Sequence, residues 1–85
     1  MKFCDVLNKY LNLIGCSSKD LANAAGLSES IVSRYKNDTR VPNSTNLKKI
    51  SKAFEMLSDN KYKMNDIYKE FNCIFDSSNI DFEIV

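Results

Sequence analysis

Residues 17–37, SSKDLANAAGLSESIVSRYKN, constrain the fold more than any other stretch of the chain. Ser17 and Asp20 have the spacing of a capping box, in which each side chain satisfies a backbone N–H that the first helical turn leaves free. Leu21, Ala22 and Ala25 then fall on one helical face. Gly26 ends that helix, because glycine takes the left-handed conformation of a helix C-terminus without steric cost. Leu27 fills the corner, and Ser28 caps a second helix that turns Ile31, Val32 and Tyr35 inward. Two helices joined this closely need a small residue where they cross, and Ala22 supplies it. The stretch predicts two short helices, about 18–25 and 29–36, on either side of a tight turn.

The flanks predict three more helices. Phe3, Val6, Leu7, Tyr10, Leu11 and Ile14 recur at spacings of three and four, an amphipathic helix that Gly15 ends. After residue 37, Asp38 and Thr39 form an exit turn, and Pro42 biases Val41 to an extended shape. Asn43 can cap a helix over about 44–57, with Leu47, Ile50, Phe54 and Leu57 as its inner stripe and Lys48, Lys49 and Lys52 mostly outside. The polar run 58–65 reads as a connection, and Asn65 as the cap of a last helix over about 66–75. Residues 76–85 change character: Ile80, Phe82 and Ile84 alternate with acids in a strand pattern, which suits a dimer arm or the start of a truncated region. The expected fold is all-α, with five helices in one domain over 1–75. One proline and two glycines fit a helical bundle better than a turn-rich β fold.

Composition removes several function classes. The chain has 85 residues, enough for one small core. No apolar run approaches the roughly 20 residues that span a bilayer, and MKFCDVLNKY does not read as a signal peptide, so a cytoplasmic location is expected. Cys4, Cys16 and Cys73 form no C-x-x-C and there is no histidine, so neither a metal site nor a cofactor is expected. With no glycine-rich phosphate loop and no nucleophile–base constellation, the chain does not read as an enzyme. The net charge of +1 is unevenly placed: residues 18–52 hold seven basic against three acidic residues, while the remainder holds five against eight. Positive charge is thus concentrated on the two-helix stretch and the segment C-terminal to it, as phosphate binding requires.

This arrangement resembles the lambda-repressor-like family of bacterial and phage regulators, also called XRE or Cro-like. The family's pattern is a small residue, a glycine four residues later and Ile or Val six after that, here Ala22, Gly26 and Val32. The family's turn, proline and capped helix appear as NDTRVPNSTNLKKISKAF, and the resemblance runs from about Lys2 to Phe75. It implies a helix-turn-helix at the second and third helices, with the first packed across their back and the third in the major groove of DNA. It also implies that the exit turn and the next cap lie against the phosphate backbone, at Asn37, Thr39, Arg40, Asn43 and Ser44. Where many members have glycine, this chain has Asp38, and aspartate tolerates the left-handed conformation better than most residues. Ser18 stands where members often carry a glutamine that contacts the backbone and braces a recognition side chain. Serine is shorter, and is read either as a phosphate donor at the helix N-terminus or as a second cap. The family's last helix often supplies a dimer contact, here Ile67, Tyr68, Phe71, Ile74 and Phe75, the alternative being that these residues complete the domain's own core.

The expected function is a sequence-specific transcriptional regulator, a repressor, binding double-stranded DNA as a homodimer. The candidate base contacts are Ser28, Glu29, Ser30, Ser33 and Arg34, and the phosphate contacts Ser18, Lys19, Lys36, Asn37, Thr39, Arg40, Asn43 and Ser44. Arg34 leads, since its fork matches O6 and N7 of guanine. Glu29 runs against electrostatics near phosphates unless it accepts from a cytosine amino group or buttresses Arg34. No small-molecule site is evident. Two rivals use the same fold: a protein-interaction module that has lost DNA binding, and an antitoxin that binds DNA and a toxin partner.

Overall fold

The computed structural model describes residues 2–77, with side chains through Ile74. Among the described residues there are five helices and no strand: α1 Phe3–Ile14, α2 Ser18–Ala25, α3 Glu29–Lys36, α4 Ser44–Leu57 and α5 Met64–Ser77. The bounds of the first four match those expected from caps and periodicity. The strand pattern expected beyond Ser77 lies outside the described residues.

Each early boundary follows from local chemistry. The Ser17 hydroxyl accepts from the Asp20 N–H at 3.1 Å, and the Ser17 N–H donates to the Asp20 carboxylate at 3.1 Å, closing the capping box. Gly26 takes φ +71°, and the next N–H, of Leu27, reaches back to the Ala22 carbonyl at 2.9 Å. That closing bond turns the chain sharply into α3. A Cβ added at Gly26 would meet nothing within 4 Å, so alanine there costs backbone strain alone. Gly26→Ala is expected to destabilise the fold by about 1 kcal/mol and to lower Tm by roughly 4–8 °C, measured by thermal melting.

The core gathers Val6 and Leu7 from α1, Leu21 from α2, Val32 from α3, Leu47, Ile50 and Phe54 from α4, and Ile67 and Phe71 from α5, all fully buried. Aromatic rings join the layers. Phe3 lies 4.8 Å from Phe71 and meets Tyr35 edge-on at 6.0 Å, so α1 ties α5 to α3. Tyr10 lies 5.5 Å from Phe54 and 5.7 Å from Tyr62.

The structure corrects the expected start of α5 and favours one of the two readings of its apolar stripe. First, the helix starts at Met64, before Asn65, and its first N–H is held from another helix: Met64 donates to the Glu55 carboxylate of α4 at 3.0 Å. That bond, with Lys52 beside it, holds the Glu55 carboxyl below its ordinary range. Second, the apolar stripe belongs to the domain itself. Ile67 and Phe71 are fully buried and Ile74 nearly so, against α1 and α4, which removes these three from any dimer surface. Tyr68 is half-buried, with the Lys48 ammonium 5.9 Å from its ring centre. The rings give the physical reason: Phe71 lies 4.8 Å from Phe3 and 6.4 Å from Tyr10, so α5 covers aromatic surface of α1.

A polar clamp also ties α5 to α1. The Tyr10 hydroxyl donates to Glu70 at 2.6 Å, and the Lys9 ammonium pairs with the same carboxylate. Burial alone pushes Glu70 upward, but the bonds from Lys9 and Tyr10 outweigh it and hold the carboxyl below its ordinary value. A depressed carboxylate stabilises the fold above its unfolded pKa of about 4.3, and that contribution is lost as pH falls through the folded value. Glu70→Gln is expected to cost about 1–2 kcal/mol at neutral pH and to flatten the fall of Tm below about pH 4.5, read from melts across a pH series.

Candidate nucleic-acid interface

α3 is held from behind so that its outer face stands clear. Val32 and Tyr35 are buried, and Ile31, expected beside them, is half-buried at the margin of the core. The Tyr35 hydroxyl accepts from the Asn46 side-chain amide of α4 at 3.0 Å. A buried phenol needs such a partner, yet Asn46 did not stand out in the sequence; the signal was Tyr35 itself, a buried-face tyrosine with a polar tip to satisfy. Asn46 is thus a positioning residue joining the α4 N-terminus to α3. Its own N–H donates to Asn43 Oδ1 at 2.8 Å, so one residue serves both the cap and the brace.

Ser28 caps α3 by accepting from the Ile31 N–H at 3.2 Å. Accepting leaves its hydroxyl hydrogen free, so capping and donation outward are compatible. Beyond it, Glu29, Ser30, Ser33, Arg34, Lys36 and Asn37 are all exposed. Ser18 of α2, with Glu29, Ser30, Ser33, Arg34 and Asn37, lines one shallow, open depression. The structure therefore brings four of the five candidate base-reading residues together with Ser18 and Asn37, while Ser28 sits at the cap. Lys19 and Lys36 border an adjoining concavity that runs back to Asn8 and Asn12 of α1.

The exit turn is ordered by its own bonds. Asp38 takes φ +63°, the left-handed geometry anticipated for it, and its carboxylate pairs with Lys2 at 3.2 Å. That pairing holds the Lys2 ammonium above its usual pKa. The Thr39 N–H and hydroxyl both donate to the Arg34 carbonyl, each at 3.0 Å. Thr39 therefore terminates α3, and neither of its donors is free for a phosphate. Arg40, Asn43 and Ser44 are exposed. Pro42 is buried under the turn while Val41 is exposed.

Among the described residues, Lys19, Arg34, Lys36 and Arg40 take part in no ion pair, nor does Glu29. Two lysines of α4 are engaged elsewhere, Lys52 pairing with Glu55 at 3.2 Å and Lys48 lying over Tyr68, while Lys49 is exposed and in no ion pair among the described residues. Lys19, Arg34, Lys36 and Arg40 thus leave the α2–α3 face and the exit turn with uncommitted positive charge. Cys4, Cys16 and Cys73 are free thiols; the first two are partly buried, and burial, with Asp20 nearby, raises the Cys16 thiol. No helix among the described residues is long and apolar enough to cross a membrane.

Compared with curated proteins and with solved structures, the chain matches none. A family model described as helix-turn-helix matches residues 7–58, which hold most of α1 and all of α2 to α4, with the whole α2–turn–α3 unit. With more than half of its 85 residues matched, the chain belongs to the lambda-repressor-like helix-turn-helix family of DNA-binding proteins.

Proposed function

We propose that this protein is a transcriptional repressor, acting in the cytoplasm, that reads a specific operator with α3 in the major groove of duplex DNA. The observation that carries the reading is the single depression formed by Ser18, Glu29, Ser30, Ser33, Arg34 and Asn37, flanked by uncommitted cations. A helix fits the major groove and its N-terminal side chains reach base edges. Ser28, Glu29, Ser30, Ser33 and Arg34 then read bases. Ser18, Lys19, Lys36, Asn37, Arg40, Asn43 and Ser44 hold phosphates and fix the register. One such face offers few contacts, so the effective species is a homodimer on half-sites about one helical turn apart. With Ile67, Phe71 and Ile74 inside the core, the half-buried Tyr68 is the residue left for its α5 contact, and the Phe75 side chain lies outside the described residues.

The test is a binding selection on randomised duplex DNA at about physiological salt, with the protein's mass in solution recorded alongside. A palindromic motif, bound by a dimer, is the expected result. Binding without sequence preference, or none at all, would shift the fold's role here to protein interaction, the reading to which Glu29 and the short Ser18 lend support.

A further inference from the structure

We propose that Glu29 selects a cytosine in each half-site, close to a guanine read by Arg34. The inference rests on the DNA-reading function proposed above and specifies what its face recognises. Glu29 and Arg34 are five residues apart on α3, which places them about 140° apart around the helix and about 7.5 Å along it. Both border the same depression, with Ser30, Ser33 and Asn37 also lining it. The face therefore presents an acceptor on one flank, a forked donor on the other and short polar side chains in the same hollow.

An acid on such a face is repelled by phosphates, and among the described residues only the N-terminus of α3, whose first turn holds Glu29, offsets its charge. Glu29 is exposed and forms no ion pair among the described residues, Arg34 included. A spacing of five is poor for pairing along a helix. On DNA a direct partner for the carboxylate comes from the groove, and there only exocyclic amino groups donate. Guanine shows O6 and N7, both acceptors, and thymine shows O4 and a methyl group. Adenine offers N6–H beside N7, an acceptor that opposes a carboxylate. Cytosine offers its N4 amino group with no acceptor beside it on the same base, so it suits an ionised Glu29 better than adenine does. The same charge that weakens binding elsewhere on DNA becomes a discriminator at this base pair.

The experiment is the same randomised-duplex selection run on the full chain as wild type, Glu29→Gln and Glu29→Ala, with melting curves to check folding of each variant. The wild type is expected to recover a cytosine column whose preference falls about tenfold in Glu29→Ala. In Glu29→Gln the column is expected to move toward adenine, because an amide can donate to N7 while accepting from N6. The guanine column set by Arg34 is expected to persist in both. If every column is unchanged in both variants and affinity simply rises, Glu29 is only a repulsive charge and the inference fails while the repressor function stands. A wild type that recovers no motif overturns both, and does so before the variants are compared.

Discussion

Phe71→Ala is expected to bring the domain to the edge of unfolding. Phe71 is fully buried, 4.8 Å from the Phe3 ring and 6.4 Å from that of Tyr10. Truncating a buried phenylalanine costs about 3–5 kcal/mol, from lost transfer energy and from the cavity left behind. A domain of 85 residues has a total stability of only about 4–13 kcal/mol, so the loss is a large share of the whole. Tm should fall by roughly 15 °C or more, or the cooperative transition should vanish. The effect also reaches the DNA face, because Phe3 lies between Phe71 and Tyr35, the anchor of α3. Varying protein concentration separates core from interface. A core residue lowers Tm equally at every concentration, whereas a dimer residue gives no loss where the chain is monomeric and a growing one as concentration drives the wild type to dimerise. Phe71→Leu, which keeps most of the volume, is expected to cost less than about 1.5 kcal/mol. A Phe71→Ala variant that melts like wild type would mean that α5 does not seal the core.

The reach of the sequence can be judged element by element. α1 to α4 were legible to the residue because each boundary is set by neighbours within a turn: Ser17 with Asp20, Ser28 with the Ile31 N–H, Asn43 with the Asn46 N–H, and Gly26 at positive φ. α5 was misplaced at its start because its cap is Glu55, nine residues upstream on another helix, and no local pattern encodes that contact. Its stripe showed that Ile67, Phe71 and Ile74 must be buried, but periodicity does not say against which surface. The outer face of α3 followed from the inner one, since Val32 and Tyr35 fix the helix's rotation. The obligations of Thr39, Asn46 and Lys2 did not follow, because each arises from a bond across elements or across a turn. Thr39 illustrates the cost of reading polarity alone: it is exposed and polar, yet both donors close the end of α3.

Arg34→Ala and Arg40→Ala are expected to fail in different ways, and the difference tests the docking face. Both side chains are exposed and neither is in an ion pair among the described residues, so removal leaves no buried partner stranded. The bonds that Thr39 makes to residue 34 go to its backbone carbonyl and survive truncation of the side chain. Stability should therefore change by no more than about 0.5 kcal/mol for either variant, and the effects on DNA can be read directly. Loss of a forked contact to guanine costs about 1–3 kcal/mol of discrimination, roughly 5- to 150-fold at one base pair. Arg34→Ala should accordingly flatten one guanine column of the selected motif. Arg34→Lys keeps the charge without the fork and should recover affinity more than preference. Arg40→Ala should weaken binding about equally on every sequence and reduce the slope of log K against log salt by about 1, because one fewer phosphate is neutralised. Titrations of matched and mismatched duplexes at several salt concentrations separate the two patterns. Unchanged affinity in both variants would place the DNA on another surface. The exchange of roles, with Arg40 setting preference and Arg34 setting only the salt slope, would mean that the exit turn rather than α3 enters the groove.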